Sequence, residues 1–147
     1  MRLATSAVAV LVTALAVAGT PAAAKDTSRK SAWPNLIGTW VGKSRAIVTT
    51  NTGHYGNAGT GDEPRFASAE LVIEITKEDQ GRYIGTITSP GDTEVKLMVV
   101  GSDRKTLRTT DKDGTSVGSI LGPNAFELCY AQNNPSTVSC VTFHRRR

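Results

Sequence analysis

Leu71-Val72-Ile73-Glu74-Ile75-Thr76-Lys77, then Glu78-Asp79-Gln80-Gly81, then Arg82-Tyr83-Ile84-Gly85-Thr86-Ile87 is the stretch that decides the fold class. Ile73 and Ile75 alternate with Glu74 and Thr76, and Tyr83 and Ile87 resume a two-residue period beyond the break. That is the pattern of strands with one buried face. The break reads as a type I turn closed by a glycine bulge, because Gly81 tolerates the positive φ that other residues resist. The spacing predicts an antiparallel hairpin with Ile73 opposite Ile87 and Ile75 opposite Gly85.

Outward from this hairpin the same grammar repeats. Ser89-Pro90-Gly91-Asp92, Gly101-Ser102-Asp103, Asp111-Lys112-Asp113-Gly114, Gly122-Pro123-Asn124 and Asn133-Asn134-Pro135-Ser136 are turn signals at short intervals. They delimit eight strands, starting near Ile37, Ser68, Arg82, Glu94, Arg104, Thr115, Ala125 and Thr137. A five-residue loop from Ser89 to Thr93 would set Ile87 against Val95. The following turns would set Leu97 against Leu107, Leu107 against Ser119, Leu121 against Phe126 and Phe126 against Phe143. One face is then mostly apolar from Leu71 to Phe143. The other carries Glu70, Glu74, Arg82, Lys96, Arg104, Arg108 and Glu127. Short connections make neighbours antiparallel, and an apolar face with edges needs closure. The expected fold is an all-β, eight-stranded antiparallel up-and-down barrel over 36–147, in preference to a two-sheet sandwich, which needs more crossing connections.

Upstream, Arg2, the apolar run Val8 to Val17 and Ala22-Ala23-Ala24 have the form of a secretory signal peptide over 1–24, cut after Ala24. The run is too short to span a bilayer comfortably, and no later stretch is long and apolar enough. A flexible lead-in is expected over 25–35. The expected location is the periplasm or the medium. The net charge of +4 sits at the ends; from Ser31 to His144 ten Lys and Arg face twelve Asp and Glu. A nucleic-acid binder would carry a basic face on the fold itself, so that class is excluded.

Cys129 and Cys140 lie at equal distances from the Asn134-Pro135 turn, which puts them opposite each other in the last hairpin. An even count in an oxidising compartment favours a disulfide, and parity puts it on the outer face.

Gly38-Thr39-Trp40 opening an eight-stranded meander resembles the calycins, the barrels of lipocalin and avidin type. In lipocalins that Trp closes one barrel end under an Arg just after the last strand, and Arg145 is placed to do this here. Ile47-Val48-Thr49 extends the likeness to avidins. Biotin sites, however, use several more Trp than Trp33 and Trp40, and Gly42 stands where avidins carry an Asn. The chain also resembles a family of small uncharacterised bacterial exported proteins, through Glu63-Pro64-Arg65-Phe66, Asp113-Gly114 and Glu127-Leu128-Cys129-Tyr130.

Thr50 to Ala67 is the one long connection, and such loops are usually functional or disordered. In an up-and-down barrel it lies over the end opposite Trp40. The resemblance to lipocalins implies a lid there. Wall residues expected near that mouth are Leu71, Val95, Thr109, Val117, Ser119, Tyr130 and Ser139. Candidate ligand-binding residues are Thr109, Val117, Ser119, Tyr130 and Ser139, with Tyr55, Arg65 and Phe66 from the loop. His54, Asp62 and Glu63 have no metal-ligand spacing. Asp111-x-Asp113-Gly114 starts like a calcium loop, but Ser116 and Gly122 occupy its sixth and twelfth positions. No metal, cofactor or catalytic set is expected. The expectation is an exported module holding a partly apolar small molecule; the alternative is a protein-interaction or inhibitor protein using the loop end, with Tyr55, Arg65 and Phe66 as anchors.

Overall fold

In a computed structural model of the chain, which describes residues 33–49, 54–55 and 63–147, the alternating segments form ten strands. They are β1 (Gly38–Lys43), β2 (Arg45–Val48), β3 (Arg65–Ala67), β4 (Glu70–Asp79), β5 (Arg82–Thr88), β6 (Thr93–Val100), β7 (Thr106–Thr110), β8 (Thr115–Gly122), β9 (Ala125–Asn133) and β10 (Ser136–Arg145). The leader expected over 1–24 lies outside the described residues.

Ten segments make eight barrel strands. β1 and β2 keep one register against β10, from Trp40 opposite Arg145 to Val48 opposite Thr137. They also keep one register against β4 and β3, from Gly38 opposite Ile75 to Val48 opposite Arg65. Each pair is thus one bent strand. The bend is fastened by buried Ser44: its N–H and hydroxyl both reach the Ala69 carbonyl, at 2.9 and 3.1 Å, and its Oγ accepts the Ala69 N–H at 2.9 Å. The sheet runs in chain order from β4 to β10 and closes through β1. It is an antiparallel eight-stranded barrel, consistent with a calycin-like fold. No helix among the described residues is long and apolar enough to cross a membrane.

The first hairpin has the expected pairs, Ile73 with Ile87 and Ile75 with Gly85. It reaches them by a different route. Asp79 pairs with Arg82, so Gln80 and Gly81 alone form the turn, with φ of 49° and 81°. The residue saved there is returned by a bulge between Ile75 and Lys77.

Two strands are inverted relative to expectation. The Ser89 N–H closes on the Asp92 carbonyl at 2.8 Å, and Thr88 pairs with Thr93, so that loop has four residues rather than five. Ile87 therefore faces Glu94, not Val95. Glu94, Lys96, Met98 and Val100 are buried, while Val95, Leu97 and Val99 are exposed. In the same way Thr110 pairs with Thr115, which sets Thr109 against Ser116 rather than Val117, and Leu107 against Gly118 rather than Ser119. A register shift between Ile120 and Gly122 returns β9 to its expected parity, with Ile120 rather than Leu121 opposite Phe126. Both corrections follow from one physical rule, that a one-residue change in loop length turns every side chain of a strand over.

Trp40, Phe126, Phe143, Tyr83 and Met98 fill the end beneath the lead-in. Trp40 lies 4.7 Å from Phe126 between ring centroids, and Phe126 5.2 Å from Phe143. The Arg145 guanidinium covers the Trp40 ring at 4.1 Å and donates to the Ile37 and Asn35 carbonyls at 2.5 and 2.7 Å. The Tyr83 hydroxyl donates to the Pro34 carbonyl, and Trp33 packs on the core. The last three residues of the lead-in thus pack on the barrel end.

Cys129 and Cys140 are paired in register and bonded, on the outer face. Their separation of 11 residues makes a short loop, worth about 2–3 kcal/mol. Because the bond lies outside the core, Cys129→Ala/Cys140→Ala should lower stability by that amount and leave no internal cavity. Urea unfolding of wild type with and without reductant should reproduce the difference.

Candidate functional site

The end opposite Trp40 holds the polar interior. β6 brings in Lys96, and the turn after β7 brings in Asp111. Asp111 Oδ1 accepts the backbone N–H groups of Asp113 and Gly114 at 3.2 and 2.9 Å, which aims Oδ2 inward. Lys96 Nζ donates to that oxygen at 2.6 Å, and the two side chains are 2% and 3% exposed. Lys96 also lies 3.4 Å from Ser116 Oγ and 5.4 Å from the centre of the Tyr130 ring. Tyr130 donates its hydroxyl to Gln132 Oε1 at 3.0 Å.

Burial pushes the Asp111 carboxyl upward, but the hydrogen bond and charge of Lys96, with the N–H groups of Gly114 and Asp113, hold it below the usual carboxylate value. Tyr130 is pushed well above an ordinary phenol, first by burial and then by Asp111, Asp113 and Glu94. It stays a neutral donor.

Above this floor sit His54 and Tyr55 from the long connection, whose described far end, Arg65–Ala67, forms β3 rather than loop. Tyr55 packs against the core. His54 Nδ1 meets Ser89 Oγ at 2.9 Å and Nε2 meets Glu94 Oε1 at 2.5 Å. Between loop and floor is a cavity of about 30 Å³, lined by Lys96, Asp111, Ser116, Tyr130, Ser139, Tyr55 and their neighbours. A water needs roughly 10–15 Å³ of such space, so two or three fit.

Of the expected binding residues, Tyr130, Ser139 and Tyr55 line this cavity. Thr109 is inward and buried, paired with Ser116, but does not line it. Val117 and Ser119 point outward, a correction that follows from the inverted β8. Phe66 is 90% exposed on the outer face of β3, and Arg65 beside it is half-buried. Leu71 lines the cavity and Val95 does not. Sequence reasoning missed Lys96, Glu94, Asp111 and Ser116. The four-residue length of the Ser89–Asp92 loop is the signal that would have turned Glu94 and Lys96 inward.

The chain matches no family model, no curated protein and no solved structure.

Proposed function

We propose that the protein is exported by a removable leader cut after Ala24 and that its calycin-like barrel binds a small polar molecule at the mouth. One observation carries this: a buried ion pair, Lys96–Asp111, faces a cavity beneath a loop. Such a pair stabilises a fold weakly compared with an apolar packing of the same volume. Placed in a pocket, it offers a donor and an acceptor that can orient a guest. Ser139 and the Tyr130 hydroxyl add further polar contacts. The small volume and charged floor favour a ligand of a few heavy atoms carrying its own charge over the partly apolar guest expected from the wall residues of the sequence. Biotin is disfavoured for want of tryptophans.

The test is native mass spectrometry of the full chain from an exporting host, followed by thermal shift with small amino acids, carboxylates and amines. A bound species or a raised midpoint is expected. Ser139→Ala should weaken it about 3- to 10-fold, as loss of one hydrogen bond does. No adduct and no shift at millimolar concentrations would defeat the proposal.

A protein-contact role is favoured by a different observation. Phe66, Ile47 and Val138 are 90%, 51% and 60% exposed and adjacent across β3, β2 and β10. Contiguous exposed apolar groups of this kind mark interaction surfaces. The anchors would be these three, with Tyr55 committed to the cavity. Loss of a captured partner on Phe66→Ser, with unchanged ligand binding, would separate the two roles.

A further inference from the structure

His54, Asp92, Glu94 and Asp113 converge at the barrel rim, each offering a ligand atom within 4.8 Å of the others. Three carboxylates would ordinarily be a solvated patch. Glu94 makes this cluster different. Its side chain is 4% exposed, and neither carboxylate oxygen has a formed hydrogen bond among the described residues. Its ionic contact is His54 Nε2 at 2.5 Å. A buried carboxylate left in that state is costly unless something positive completes it. The surrounding charge points the same way. Asp92, Glu94, Asp111 and Asp113 gather around Lys96 and Lys112, of which Lys96 is held by Asp111 and Lys112 by Asp92 at 2.8 Å.

We propose that His54, Asp92, Glu94 and Asp113 form a binding site for one divalent metal cation. One imidazole nitrogen and three carboxylate oxygens suit Zn²⁺ or Mn²⁺. Mg²⁺ demands a stricter octahedron and keeps its waters, so it suits the site less well. Ligands about 2.1 Å from an ion lie at most about 4.2 Å apart, so the widest span of the cluster, up to 4.8 Å, must close by at least about half an ångström on binding. The ion enters by parting the His54–Glu94 contact and draws Asp92 from Lys112. The site joins His54, the Ser89–Asp92 turn and the Asp111–Gly114 turn, so a cation there ties His54 to both turns. Only His54 is shared with the cavity lining, and the proposal does not depend on a small-molecule ligand.

The purified full chain, stripped with chelator, should be titrated calorimetrically with ZnCl₂ and MnCl₂. One equivalent is expected with at least one of them. Glu94→Gln and Asp113→Asn should each weaken it about tenfold or more, since even outer partners of a metal site are worth 10- to 100-fold. Asp113 is exposed, so Asp113→Asn remains informative if Glu94→Gln does not fold. Asp79→Asn, at the far turn beside Arg82, should leave affinity unchanged. No stoichiometric binding of either ion overturns the proposal. Equal affinity in wild type and Asp113→Asn, or an equal loss in Asp79→Asn, also overturns it.

Discussion

Lys96→Met is expected to destabilise the barrel by about 3–5 kcal/mol, because it leaves a buried carboxylate without its cation. Asp111 would keep the N–H groups of Asp113 and Gly114, but these do not replace a charge at 2.6 Å. Lys96→Met/Asp111→Leu should recover most of the loss, since the pair is expensive to break and cheap to replace by apolar groups. The pH dependence separates these variants. Asp111 is held below its unfolded value in the native protein. Its contribution is therefore complete above about pH 4, the unfolded carboxylate value, and is lost as the pH falls through the lower native one. The double variant should lack that part of the acid limb. Lys96→Met alone should show the opposite slope. With only two N–H groups set against burial, the Asp111 carboxyl rises above its unfolded value. The variant is then least stable above the raised native value and regains stability as the pH falls through it. Urea unfolding across pH 3–7 measures all three. A single-variant loss under about 1 kcal/mol would mean that water reaches Asp111 freely.

Trp40→Ala should cost about as much, roughly 3–5 kcal/mol, by the ordinary consequence of deleting a large core side chain. Trp40 is fully buried against Phe126. Its Nε1–H donates to the Leu36 carbonyl at 2.9 Å, and Arg145 covers its face. Arg145→Ala removes the cover but no core volume. It should cost about 1–2 kcal/mol, the scale of a partly desolvated cation–π contact. Far-UV circular dichroism should follow these transitions, since the fluorescence of Trp40 is lost in one variant. Equal losses in the two would shift the closure from the indole to the bonds that the Arg145 guanidinium gives the Ile37 and Asn35 carbonyls.

Features set by local geometry were legible in the sequence. The Cys129–Cys140 bond depends on one turn close by, and the Ile73–Ile87 pairing survives because the tighter turn and the bulge cancel; the Trp40–Arg145 cover, between the two ends of the chain, rests on the resemblance to lipocalins. The candidate site was not legible, because β6 is apolar on both faces. Val95, Leu97 and Val99 compete with Met98 and Val100 for the core. Hydrophobicity favours the first set, since burying the second also buries Glu94 and Lys96. What decides is the Ser89–Asp92 turn closing one residue early. The same kind of early closure at Thr110–Thr115 turned Ser116 inward and Val117 outward. A polar interior in a barrel is thus hidden from a parity argument built on greasiness, while loop length carries the missing information.

The ring closes between its earliest and latest strands, with Trp40 opposite Arg145. A chain emerging amino end first can build every hairpin from β4 onward as it appears. Its opening strand, by contrast, must wait, paired on one side, until more than a hundred residues have followed. Contacts of such sequence separation make folding slow. In chain order, therefore, the cover over the indole and its edge is the last part of the barrel to be made.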